Sequence, residues 1–149
     1  MSTTVFIIGT VWVEPKSSAA GSRMLQLIQY FQTQNYKVVF GTTAHKNKNS
    51  IDLGRLKVET YSLELNNDSF DILLKEINPK IVLFDRFLTE EQFGWRVSEI
   101  LPNVIRILDT EDLHCLRKVR EEIYNKQREF QFSDLLEAQI SKREIASIL

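Results

Sequence analysis

The sequence is as informative in what it lacks as in what it contains. Cys115 is the single cysteine, so no internal disulfide can form, and a reducing cytosolic setting is the default. No apolar run approaches the ~20 residues that cross a bilayer, and residues 1–4 lack the basic start of a secretory signal. We therefore expect a cytoplasmic protein. Peripheral membrane contact is left open but has no support, because glutamates interrupt the basic side chains between Arg117 and Arg128.

The balance of charge and the missing motifs narrow the function further. The 19 basic and 20 acidic side chains give a formal charge of -1, so no basic stripe for nucleic acid is expected. The sequence has no G-x-G-x-x-G fingerprint, which disfavours NAD binding and weakens a flavodoxin-like or other nucleotide-dependent enzyme. The acids near His114 match no specific metal-motif spacing. We therefore predict no cofactor, and these residues leave a divalent metal possible.

Five short apolar runs alternate with helical patterns. The first run, residues 5–9, is too short for a helix and rich in β-branched residues, which is typical of a buried strand. Met24, Ile28 and Phe31 then recur at helical spacing. The four other predicted strands cover residues 37–41, 58–63, 81–84 and 104–108. This order predicts a single α/β domain of three layers, Rossmann-like, with a largely parallel sheet and right-handed crossovers.

The boundaries of two helices carry their own signals. Asp68 or Ser69 is placed to cap the helix before the fourth strand. Thr89 and Gln92 resemble a capping box for a helix that ends near residue 101.

The end of the chain is predicted to be helical from about residue 112, over residues 112–127 and 133–149. The last helix stops in mid-pattern, so we expect the chain to be a piece of a longer protein. Ile145, Ile148 and Leu149 would then be exposed and would favour a homodimer.

The loop before the first helix is the first candidate site, because ligands of this fold class lie beyond the carboxyl ends of the strands. Ala19, Ala20 and Gly21 permit close approach of a ligand to backbone amides, and Arg23 can hold an anion bidentately. The alternative is a tight turn whose small residues only let the helix pack. The residues leave both interpretations open.

Acidic residues follow the fourth and fifth strands. Asp85 stands where a carboxylate can accept a hydrogen bond from a ligand hydroxyl, although an aspartate here more often caps a turn. The second group comprises Asp109, Glu111, Asp112 and His114. Its histidine can titrate near neutrality, bind a phosphate or orient a hydroxyl. A helix start decorated with acids that favour its dipole explains the second group equally well.

Three segments together carry a resemblance. GTVWVEPKSSAAGSRM after the first strand, DRFLTEEQFGWRV after the fourth and LDTEDLHCLR after the fifth resemble the N-terminal domain of bacterial GT-B glycosyltransferases of the retaining group 1 kind. The resemblance covers nearly the whole chain. It implies one half of a GT-B architecture, in which this domain binds the sugar acceptor and a second domain binds the nucleotide-sugar donor.

The resemblance also implies roles for individual residues. Asp85 and His114 would be catalytic, the histidine facing the transferred sugar. The loop at the donor phosphates would comprise Ala19, Ala20, Gly21 and Arg23, and the acceptor side Trp12, Arg86, Asp109, Glu111 and Asp112. No metal is implied. The helical segment from about residue 112 would lead into the missing donor domain, so the chain alone would be inactive or would need a second transferase chain. The alternative is a non-catalytic module of the same fold that binds a small ligand or a partner.

Overall fold

The computed structural model describes residues 3–148, so the prediction for Leu149 lies outside the described residues. Five strands form one sheet in the order β3-β2-β1-β4-β5, and every neighbouring pair is parallel. The strands are β1 Thr4–Gly9, β2 Lys37–Thr42, β3 Glu59–Ser62, β4 Ile81–Asp85 and β5 Ile105–Asp109. The predicted parallel α/β architecture is confirmed.

Helices connect the strands and form the end of the described chain. They are α1 Ala19–Thr33, a 3-10 turn at Leu53–Leu56, α2 Ser69–Ile77, α3 Arg86–Ile100, α4 His114–Asn125, α5 Phe132–Glu137 and α6 Gln139–Ile148. Within residues 3–148, no helix combines the length and apolar character that a membrane crossing requires.

Two apolar clusters cover the two faces of the sheet. Alternate residues of β1 point to opposite faces, so Ile7 packs with Ile28 of α1 while Ile8 packs with Phe70 of α2 and Phe93 of α3. These side chains are fully or almost fully buried. The result is the predicted three-layer domain, in which the central strands β1 and β4 carry apolar residues on both faces.

The order of strands determines where a ligand can bind. The chain moves outward from β1 to β2 and β3, then returns to the other side of β1 for β4 and β5. The direction of winding therefore changes between β1 and β4, and in sheets of this kind ligands bind at that point, in the crevice beyond the carboxyl ends of the strands. Gly9 and Asp85 are the last residues of these two strands.

Two predicted helix boundaries are wrong. Helix α3 begins at Arg86, directly after β4, and Thr89 is a buried residue inside it rather than its cap. The Thr89 hydroxyl donates a hydrogen bond to the Asp85 carbonyl at 3.0 Å, which joins the helix to the strand end. The predicted helix 133–149 is two helices, because Ala138 adopts an extended backbone (ψ 135°) between α5 and α6.

Helix α2 begins where it was predicted to begin, but the predicted cap hydrogen bond is not formed. Asp68 occupies the N-cap position, as one of the two alternatives had it, but its side chain makes no cap hydrogen bond. Instead Asn67 Oδ1 accepts the amide hydrogen of Ser69 at 2.9 Å.

Candidate functional site

Asp85 and Asp109 are neighbours at the carboxyl edge of the sheet. They are register partners at the ends of β4 and β5, which places their side chains on the same face of the sheet. Thr10, directly after β1, donates its amide hydrogen to Asp85 Oδ2 at 3.0 Å and its hydroxyl hydrogen to the Asp85 carbonyl at 2.8 Å. The end of β1 therefore fixes Asp85 at the point where the winding of the sheet reverses.

Arg86 and Glu111 meet over Asp85. Arg86 Nε lies 3.2 Å from Glu111 Oε2 and 3.4 Å from Asp85 Oδ1. The backbones of Arg86 and Glu111 are left-handed, with φ values of 71° and 55° respectively. Such conformations are strained for residues other than glycine, and they concentrate at ligand sites and switches.

Two polar atoms of this cluster are buried without a hydrogen bond. Among the described residues, neither Asp85 Oδ1 nor Arg86 Nε has a hydrogen-bond partner, although the two atoms face each other as a charge pair. The side chain of Asp85 is only 5% exposed. Buried polar atoms in folded proteins are nearly always hydrogen-bonded, so one unused acceptor and one unused donor mark this spot as incomplete.

The negative charge of the carboxylates in this cluster exceeds the positive charge of the guanidinium groups that contact them. The pKa of Glu111 is raised, first by burial of its carboxyl group and then by the negative charge of Asp85, while Arg86 acts in the opposite direction. The environment as a whole therefore disfavours a further negative charge at Glu111.

Arg23 joins α1 to the same edge of the sheet. Its Nε and Nη2 donate to the two carboxylate oxygens of Asp109 at 3.1 and 3.0 Å. This bidentate pair raises the pKa of Arg23, chiefly through the hydrogen bonds themselves. The guanidinium that the sequence offers for an anion is thus held by a carboxylate of the domain itself.

The small residues of the first loop serve packing as well as access. The Gly21 amide donates to Ser18 Oγ at 3.0 Å, and a Cβ at Gly21 would overlap the backbone of Glu14. The loop itself therefore occupies the space that the missing side chain leaves. Ala19 and Ala20 are the first two residues of α1, whose amides have no acceptor within the helix and remain suited to an anion.

His114 begins α4 and is held from two sides. Its Nε2 lies 2.9 Å from Asp112 Oδ1, and its ring meets that of Phe87 edge to face at 5.5 Å. Arg117 contacts the other oxygen of Asp112 at 3.3 Å. The side chain of His114 is 19% exposed, so most of the imidazole is buried.

Trp12 lies in the core. It is 6% exposed, its ring packs against Phe40 at 5.7 Å, and its indole N–H donates to the Ala44 carbonyl at 2.7 Å. The Lys46 ammonium covers the ring at 4.6 Å from its centroid. Trp12 therefore supports the loop that follows β2, and its indole nitrogen already donates a hydrogen bond within the domain.

Glu144, a buried carboxylate of α6, was not among the predicted site residues. Its Oε1 accepts the His114 amide hydrogen at 3.0 Å and its Oε2 accepts that of Cys115 at 2.6 Å. Leu113 precedes α4 and has no side-chain acceptor, so Glu144 supplies the missing cap from another helix. The only available sequence signal is that Ser141 and Glu144 are three residues apart, which places them on one side of α6. The structure buries both side chains.

The thiol beside Glu144 is poorly suited to chemistry. Burial raises the pKa of Cys115, and its hydrogen bond to Glu144 acts in the same direction. A raised pKa leaves the thiol protonated and weakly nucleophilic, in agreement with a packing role.

The charged residues of the site do not form a metal cage. Across residues 3–148, no group of three or more histidine, cysteine, aspartate or glutamate side chains is placed to hold a metal ion. Comparison with protein families finds no family model that matches the chain. No curated protein matches it either.

Proposed function

We propose that this chain is the acceptor-binding domain of a glycosyltransferase, working with a second domain that holds a nucleotide-sugar donor. The observation that carries the proposal is the Asp85–Asp109 pair at the switch point of the sheet, with Asp85 Oδ1 unbonded. A parallel α/β sheet binds its ligands in this crevice. The cytoplasm is the compartment that suits the single free thiol.

The chemistry of the cluster suits a sugar hydroxyl. Hydroxyl groups donate to carboxylates, and hydrogen bonds to charged groups contribute about 1.5–3 kcal/mol each. In the proposed reaction Asp85 polarises the acceptor hydroxyl, while Arg86, Asp109 and Glu111 orient the ring. Because Asp85 is held by Thr10, little reorganisation is needed when the acceptor binds.

The donor would approach from the α1 side of the crevice. The free amides of Ala19 and Ala20, together with the positive end of the α1 dipole, would stabilise the donor phosphates without a metal. Arg23 and Gly21 would support this wall through Asp109 and Glu14 rather than touch the phosphates. The other wall would come from the second domain, so we expect no sugar transfer by residues 1–149 alone.

A binding assay on the chain tests the proposal. Saturation-transfer NMR with methyl α-glucoside is expected to show transfer to the sugar protons, and Asp109→Asn is expected to weaken it at least several-fold. Asp52→Asn is the matched control, because Asp52 is exposed and asparagine preserves its capping role. Equal signals from both variants, or no signal from the unmodified chain, would contradict a sugar site at this edge.

The setting of His114 favours a second candidate, a non-catalytic binding module of the same fold. The Nε2 of His114 is engaged by Asp112, so the imidazole has a structural role whether or not it meets a sugar. The two candidates differ in a transfer assay on the protein with its donor-binding domain. His114→Asn and Asp85→Asn abolish transfer by a glycosyltransferase, whereas a module that only binds has no transfer to lose.

A further inference from the structure

The charges at the edge of the sheet do not balance. Arg23 pairs with Asp109 through its Nε and Nη2, and Asp112 is matched by Arg117. Arg86 is then the only guanidinium in contact with both Asp85 and Glu111 among the described residues. Two carboxylates share one cation, and one negative charge is left over.

The two unbonded atoms have complementary chemistry. Asp85 Oδ1 accepts hydrogen bonds only, Arg86 Nε–H donates only, and they lie 3.4 Å apart without forming a bond. A hydroxyl group both donates and accepts, so a single hydroxyl can satisfy both atoms after a small shift of Arg86. A phosphate or carboxylate group offers acceptors alone and would meet the surplus carboxylate.

Exposure locates the ligand on the outer side of this pair. Asp85 is almost fully buried, whereas the side chains of Arg86 and Glu111 are 21% and 16% exposed. A ligand therefore contacts Arg86 and Glu111 first, and the surplus charge lies directly beneath it.

We infer that the site selects an uncharged sugar through its hydroxyl groups and rejects sugars that carry a carboxylate or a phosphate. This inference rests on the proposed function, because it specifies which acceptors the same site takes. The selecting feature is the surplus carboxylate shared between Asp85 and Glu111, with Arg86 unable to neutralise both.

The test compares two ligands that differ at one carbon. Methyl α-glucoside and methyl α-glucuronide share the ring and the hydroxyls at carbons 2, 3 and 4, and the glucuronide has a carboxylate at pH 7 in place of the 6-hydroxymethyl group. Titration of the chain followed by amide NMR shifts is expected to give at least tenfold tighter binding of the glucoside. Glu111→Gln removes the surplus charge and is expected to reduce that ratio several-fold, while Glu99→Gln, at an exposed position of α3, leaves it unchanged.

The possible outcomes distinguish a failure of this inference from a failure of the proposed function. Equal or tighter binding of the glucuronide would overturn the inference while leaving a sugar site in place. A ratio unaffected by Glu111→Gln would also overturn it, because selection would then arise elsewhere. Binding of neither ligand would overturn the proposed function and the inference together.

Discussion

Glu144 and Cys115 lie 29 residues apart in the chain, yet Glu144 Oε2 accepts the Cys115 amide hydrogen at 2.6 Å. The other oxygen of the same carboxylate binds the amide of His114. Helix α6 thereby fixes the start of α4, where the candidate histidine stands. A residue near the end of the chain thus supports the edge of the sheet that carries the site.

Removal of this buried cap is expected to be costly. Glu144→Ala leaves two amide hydrogens of α4 without an acceptor, and we expect a loss of about 1–3 kcal/mol in the free energy of unfolding. Glu144→Gln retains one carbonyl oxygen and is expected to lose less. Urea denaturation followed by circular dichroism measures both. Lys142→Ala, at an exposed position of the same helix, is the control, and an equal effect in Lys142→Ala and Glu144→Ala would refute the capping role.

Gly21 and Gly54 are expected to respond differently to alanine. A Cβ at Gly21 would overlap the Glu14 carbonyl group and lie 2.9 Å from the Glu14 nitrogen, so the loop must move away from α1. A Cβ at Gly54 would meet only Asp52 Oδ1, at 3.1 Å, and a shift of a few tenths of an ångström by that exposed side chain relieves the contact. We expect Gly21→Ala to lower stability by about 1–3 kcal/mol through overpacking, and Gly54→Ala to be nearly neutral. Thermal denaturation of both variants decides the comparison, and equal melting temperatures would contradict it.

Glu111 is expected to make stability depend on pH in an unusual direction. Burial raises its pKa in the folded state above the unfolded value of 4.5. A raised folded pKa means that its contribution to stability is fully present below the unfolded pKa. That contribution is lost as the pH rises through the folded pKa. Glu111→Gln removes the ionisation, so we expect the variant to be at least as stable as the unmodified chain at pH 7.

Urea denaturation between pH 4 and pH 7 tests this expectation. The unmodified chain should lose stability relative to Glu111→Gln as the pH rises from the acid end of the range. Glu99→Gln controls for the general effect of removing one carboxylate. A Glu111→Gln variant whose relative stability falls with rising pH would show that the charged form is favoured in the fold.

Ile7 and Ile105 test how the sheet distributes its burial. Ile7 in the central strand β1 is fully buried, while Ile105 in the edge strand β5 is 59% exposed. Ile→Val keeps the β-branched shape and removes one methylene group, which costs about 0.5–1.5 kcal/mol in a packed core. We expect that loss for Ile7→Val and no more than a few tenths of a kcal/mol for Ile105→Val. Similar losses in denaturant unfolding would mean that the β5 face is covered in solution.

Sequence patterns predicted the strands and helices that are determined by residues close together in the chain. The β-branched apolar runs predicted β1, β2 and β4, because burial on both faces requires continuous apolar residues. The helical spacing of Met24, Ile28 and Phe31 predicted α1, which buries all three side chains. The capping pattern at Thr89 predicted the wrong helix start, because the chain enters α3 directly from β4. Arg86 adopts a left-handed backbone at this junction, and the amino-acid sequence does not signal it.

The sequence predicted where acidic residues collect but not how they pair. It placed Asp85, Asp109 and Glu111 at the carboxyl edge of the sheet, since they stand at or just after the ends of predicted parallel strands. The pairing of Arg23 with Asp109 spans 86 residues, and no local pattern indicates it. The resemblance implied that Trp12 lies on the acceptor side, whereas the structure buries its ring to 6% exposure.

The sequence by itself determined the fold class and the edge of the sheet where polar residues collect, because both follow from periodicity and strand order. Only the tertiary structure decided which charges neutralise one another, which buried atoms remain unbonded, and that Glu144 caps α4. These features depend on distances between residues far apart in the chain. Such distances are set by how helices pack on the sheet, and local propensity contains no information about them.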